Sequence, residues 1–96
     1  MRPTSLVERS EDIAGILSLL GNAKRLAIMC HLAEGELSVG AIAERVQLSQ
    51  SALSQHLAKL RERGLVETRR ERQLIYYSCP PGPLRELLNS LTRIFL

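Results

Sequence analysis

A chain of 96 residues, 45% hydrophobic and 24% charged, has the composition of one small folded domain spanning 1–96, with no room for a second domain or for a large enzyme with a deep cleft. The net charge of +3 permits a nucleic-acid partner without requiring one, and two cysteines and two histidines are too few for a disulfide scaffold or a His-based cluster. There is no apolar run of about 18 residues, no secretory h-region in MRPTSLVERSED, and no GxGxxG, GxxxxGK[ST], HExxH or GxSxG, so the expectation is a cytoplasmic, non-enzymatic protein with no membrane partner and no cofactor.

With only Tyr76, Tyr77 and Phe95 as aromatics, the core must be aliphatic. Over residues 6–20, Leu6, Val7, Ile13, Ile16, Leu17 and Leu20 recur at helical spacing, and Gly21-Asn22 stops this first helix. Asn22 caps a second helix to residue 33, with Leu26, Met29, Cys30 and Ala33 on one stripe. Lys24 and Arg25 open it, and Arg25 is placed to pair with an acid in the core. Gly35 breaks the helix. Ser38 caps a third over residues 39–46. After the short joint Gln47-Leu48, Ser49 caps a fourth to about residue 63, with Leu53, Leu57 and Leu60 on one face and Gly64 as its stop.

Residues 65–69 and 73–78 are rich in β-formers and flank the charged tip Arg70-Glu71-Arg72, which predicts a β-hairpin. Pro80-Pro81-Gly82-Pro83 ends the pairing. A last helix carries Leu84, Leu87, Leu88, Leu91, Ile94 and Phe95 on one face. The order is ααααββα: mainly α with a small β-hairpin.

Two helices joined by a short turn, the second polar on its outer face, are a helix-turn-helix signature. The second helix opens with Ser49, Gln50 and Ser51, followed by Ser54, Gln55 and His56, while Leu53 and Leu57 anchor it inward. Surface helices usually carry Glu and Lys, so a Ser/Gln run that sacrifices helix propensity points to a reading surface. Gln bonds adenine bidentately, Ser bonds base edges or phosphates, and a helix N-terminus favours phosphate. Gln50, Ser51, Ser54, Gln55 and His56 are therefore candidate base readers. Ser49, Lys59, Arg69, Arg70 and Arg72 are candidate phosphate holders. His56 alternatively pins the helix in place. A rival reading makes the chain a winged-helix module that binds a partner protein without reading DNA.

The stretch LSQSALSQHLAKLRERGLVETRRERQLIYYS resembles the winged helix-turn-helix core of the ArsR/SmtB family of bacterial transcriptional repressors, and NAKRLAIMCHLAEGELSVGAIAE resembles that family's second and third helices. The resemblance implies a repressor that binds a near-palindromic operator on double-stranded DNA as a homodimer. It also implies that the first and last helices pack across a two-fold axis, making Leu6, Ile13, Leu17, Leu84, Leu88, Leu91 and Phe95 the candidate dimer face.

Two metal sites of the family lack their ligands here. Ser38 and Gly40 stand where one site has thiolates, and the last helix carries neither His nor Asp, so no regulatory metal is expected. A thiol-sensing branch has a cysteine at the position of Cys30. Its second cysteine, on the last helix, is missing, which leaves Cys79 as the only substitute, and Cys79 falls in an exposed-looking turn. The competing reading of Cys30 is a small core residue.

Residues 59–72 hold six basic and three acidic side chains, so the whole net excess lies between the reading helix and the hairpin.

Overall fold

The computed structural model describes residues 5–96. In chain order the elements are α1 (Ser10–Leu20), α2 (Ala23–Glu34), β1 (Leu37–Ser38), α3 (Val39–Val46), α4 (Gln50–Glu62), β2 (Glu67–Glu71), β3 (Leu74–Ser78) and α5 (Pro83–Phe95). The strands form one antiparallel sheet in the order β1-β3-β2.

The helix starts are made by local chemistry. Asn22 Oδ1 accepts from the Arg25 N–H at 3.0 Å, Ser38 Oγ from Ala41 N–H at 3.2 Å, and Ser49 Oγ from Ala52 N–H at 3.2 Å. Each satisfies a backbone donor that the first turn leaves without a partner. Pro83 opens α5, where a missing N–H costs nothing. Gly64 ends α4 at φ +71°, with its N–H on Arg61 O and the Leu65 N–H on Leu60 O. That double bond is a Schellman motif, which needs a residue in the left-handed region.

The core is aliphatic and contains no buried charged residue among the described residues. Ile28, Met29 and Leu32 of α2 meet Ile42 of α3, Leu53, Leu57 and Leu60 of α4, and Leu88 of α5. Burying each such side chain is worth about 1.5–3 kcal/mol.

The structure differs from the sequence expectation in four places. α1 starts at Ser10 rather than residue 6, because Leu6 and Val7 stand in solvent and gain nothing from a helical register. The first hairpin strand starts at Glu67, since Leu65 and Val66 turn into the core instead of alternating. The hairpin tip is Arg72-Gln73, with Glu71 paired to Leu74. β1 was not anticipated: two residues are too few to show alternation, and Ser38 serves both the strand and the α3 cap.

Candidate nucleic-acid interface

The α3–α4 joint is held by backbone bonds. Gln47 takes a left-handed conformation at φ +57°, and the Leu48 N–H reaches back to Ala43 O at 3.1 Å. Lys24 Nζ, from the first turn of α2, donates to Val46 O at 2.6 Å. A cation on the last carbonyls of α3 opposes the negative end of that helix and ties the joint to α2. The roll of α4 about its axis is fixed by burial of Leu53, Leu57 and Leu60. Gln50, Ser51, Ser54 and Gln55 then face solvent, with no side-chain hydrogen bond to any described residue. No acidic residue lies in the first turn of α4. These four side chains are thus one open row of donors and acceptors at a helix N-terminus, which is the chemistry that base edges and phosphates require.

His56 does not join that row. It is half-buried against α2, with Nδ1 3.4 Å from Arg25 Nη1. A guanidinium can only donate, so a hydrogen bond here requires Nδ1 to be the accepting nitrogen. Burial first, then the Arg25 and Lys59 charges, lower its pKa below the usual histidine value. The Arg25–His56 contact links α4 to α2, and Arg25 meets no acid among the described residues: its Nε donates to Leu19 O at 2.8 Å.

The β2–β3 hairpin is the wing. Arg70 and Arg72 are exposed and make no ion pair with a described residue. Arg72 holds φ +59° at the tip, a conformation that favours glycine. Arg69 is paired with two acids. Its Nε and Nη2 donate to the two Glu36 oxygens, each at 2.8 Å, and Nη1 reaches Glu71 at 3.4 Å. Its guanidinium carbon lies 4.6 Å from the centre of the Tyr76 ring. Arg63 is also engaged, on Asp12 Oδ1 at 3.0 Å and Asp12 O at 2.9 Å. The Asp12 carboxyl is held below the usual carboxylate value, chiefly by its Arg9 hydrogen bond, with Arg63 adding to it. Lys59, Arg61, Arg70 and Arg72 are left as exposed cations without partners among the described residues. An open cleft of about 350 Å³ between Ser38, Gln50, Gln73 and Leu74 joins the wing tip to the start of α4.

The cysteines are both free. Cys30 is half-buried beside an open apolar cleft of about 320 Å³ that includes Leu26, Leu88 and Phe95. Burial and then Glu34 push its thiol up. Cys79 does not stand in an exposed turn: it is 1% accessible, its Sγ donates to Pro80 O at 3.6 Å, and burial pushes its thiol up despite the nearby Arg85. A raised thiol holds less thiolate at neutral pH, the form that reacts.

The segment 6–20 and α5 carry apolar surface. Leu6, Leu17 and Phe95 are exposed, while Ile13, Leu84 and Leu91 are half-buried. Leu88 departs from the expected face: at 2% accessible it belongs to the core. An open cleft of about 270 Å³ between α1 and α5 is lined by Ile13, Ile16, Leu17, Leu65, Pro83, Leu84 and Leu87.

Glu36, Asp12 and Tyr76 were not singled out by sequence. Their partners lie 33, 51 and 7 residues away along the chain, and no local pattern marks such pairs.

The pattern of the bacterial regulatory protein arsR family matches residues 22–68. The nodulation protein NolR of Rhizobium meliloti is 48% identical over 93 residues, which is 97% of this chain and 76% of NolR. The crystal structure of the transcriptional repressor BigR from Xylella fastidiosa superposes with a TM-score of 0.89 at 38% identity, covering 100% of this chain and 98% of that one. The solution structure of the homodimeric winged helix-turn-helix DNA-binding domain of Mb0332 from Mycobacterium bovis superposes at 0.82 with 29% identity, covering 97% and 86%. The chain belongs to the arsR family of bacterial regulatory proteins and is a winged helix-turn-helix, DNA-binding transcriptional regulator.

Proposed function

We propose that this regulator is a repressor that binds a near-palindromic operator as a homodimer, one α4 in each of two major grooves about 34–36 Å apart when one helical turn separates them. The observation that carries the reading is the open row Gln50, Ser51, Ser54 and Gln55 on a helix whose roll is set by three buried leucines. These four read base edges. Ser49, which begins the reading helix, and Lys59, Arg70 and Arg72 hold phosphates. The 96 residues act as one unit in the cytoplasm, where a bacterial chromosome lies.

The dimer is supported by the apolar α1–α5 surface, on which Leu17 is 51% and Phe95 77% accessible in a single copy. Exposed large apolar side chains beside apolar clefts are the surface that an association site uses. The two thiols, both raised, are assigned to packing rather than to effector-driven release.

The test starts from a duplex that the native protein selects out of a random-sequence pool. Replacing Gln50 or Gln55 by Ala weakens binding to that duplex by about 1–3 kcal/mol and relaxes preference at the contacted base pair. Arg70→Ala weakens all duplexes alike and lowers the slope of log affinity against log salt by about one. Native affinity and preference in all three variants would end this assignment.

A further inference from the structure

Arg69 lies in the most cationic stretch of the chain, yet each of its three guanidinium nitrogens is bonded to a carboxylate of the chain itself. The sheet register explains how. Arg69 on β2 and Ser38 on β1 both pair with Tyr76 on the central strand β3, so their side chains stand on one face of the sheet. Glu36 lies just before β1, two residues from Ser38. Arg69 therefore runs across the Tyr76 ring from one edge of the sheet to the other and closes on Glu36 with a two-bonded ion pair. Bidentate pairing of this kind fixes direction as well as distance. Glu36 is next to Leu37–Ser38, and Ser38 caps α3. The far end of the connection is thus the first helix of the helix-turn-helix.

Arg70 has the opposite orientation. It pairs with Ile75, on the other face of the strands, and makes no ion pair with a described residue. Adjacent arginines on a strand point to opposite faces, and here one is consumed while the other is free.

We infer that Arg69 is a positioning residue, a strap that with Glu36 and Tyr76 locks the wing to the start of α3, so that the wing reaches DNA through Arg70 and Arg72 and not through Arg69. This rests on the DNA-reading role proposed above. Wing and reading helix must meet the duplex together, and a wing held in place before the encounter spares the ordering cost that a loose one adds to binding.

The inference separates from simple electrostatics. Glu36→Ala removes a negative charge beside a DNA-binding face, so charge alone calls for tighter binding. The strap calls for binding weakened about three- to tenfold, the scale of one element that must be ordered on binding. Arg69→Ala weakens binding by a similar factor with an unchanged salt slope, whereas loss of a phosphate contact would lower the slope by about one. The exchanged pair Glu36→Arg with Arg69→Glu restores the bridge and returns affinity to within about twofold of native, well under one tenfold step.

A readout that needs no DNA accompanies these: the backbone amides of β2 exchange with deuterium faster in Glu36→Ala than in the native chain. Tighter binding by Glu36→Ala, a lowered slope in Arg69→Ala, an exchanged pair weaker than Arg69→Ala, or unchanged β2 exchange would each overturn the strap. Failure of the native protein to select any duplex would overturn the DNA-reading proposal instead, and would leave the β2 exchange result to judge the strap.

Discussion

His56 shows how a single neighbour decides between two roles of one side chain. Placed in a Ser/Gln row, it looks like another reader. Packed beside Arg25, it stands against α2, where Nδ1 lies within reach of the guanidinium. Its pKa is lowered in the folded chain, so below the usual histidine value of about 6.5 the unfolded chain binds the extra proton first. Stability is then full above about pH 6.5 and falls as the pH drops toward the folded-state value. His56→Gln keeps a polar side chain and removes the titration. Urea unfolding followed from pH 7.5 to 5 will show a flatter profile in this variant than in the native chain, and equal profiles would remove His56 from the account. The serine and asparagine caps were legible in the sequence because each acts three residues along the chain. The Arg25–His56 contact spans 31 residues and needs α2 and α4 to be packed before it exists.

At the level of elements, the helices were legible because their signals are local and redundant: a cap, an apolar stripe and a stop. α4 has all three. Its stop also gives the clearest stability prediction. Nothing lies within 4 Å of a Cβ added at Gly64, so Gly64→Ala meets no steric neighbour and its cost is confined to the backbone at φ +71°. The left-handed penalty of about 1–2 kcal/mol, less the entropy that Ala removes from the unfolded chain, leaves a net loss of about 1 kcal/mol. Chemical denaturation checks this, and Gly64→Asn is expected to lose less because Asn tolerates the region better. α1 had the stripe without a cap: Arg9 precedes it and makes no capping bond, and the apolar residues before it find nothing to cover them. β1 had no signal of its own, because it is defined by its partner Tyr76-Tyr77 rather than by its own two residues.

Across the whole molecule, the charge excess placed by sequence between residues 59 and 72 is real but thinner than the count suggests. Arg63 and Arg69 are bound to acids that lie elsewhere in the chain, and Lys59, Arg61, Arg70 and Arg72 make no ion pair with a described residue. The open face of α4 was legible in the sequence, since the inward leucines define its opposite side. The split between free and bound arginines was not, since it depends on acids brought in by the fold. The apolar side of the molecule carries its own prediction. Leu17→Glu with Phe95→Glu changes two exposed side chains and leaves the core intact. In the proposed dimer the pair of substitutions yields a folded monomer by sedimentation, with affinity for the selected duplex lowered about a hundredfold or more as the second contact ceases to be intramolecular. A dimer that persists would place the interface elsewhere.

Gly15 gives the arrangement a further consequence. A Cβ there would sit 3.1 Å from Arg63 Nη1, so the bare backbone of α1 is the berth in which the end of the reading helix rests. In the proposed dimer, with α1 in its seam, this contact is one of those that set the gap between the two reading helices. It is stiff at low ionic strength and slackens as salt screens the Asp12–Arg63 pair. An operator with one base pair inserted between its half-sites is thus rejected most sharply in dilute buffer, and a bulkier residue at position 15 resets the spacing that the protein accepts.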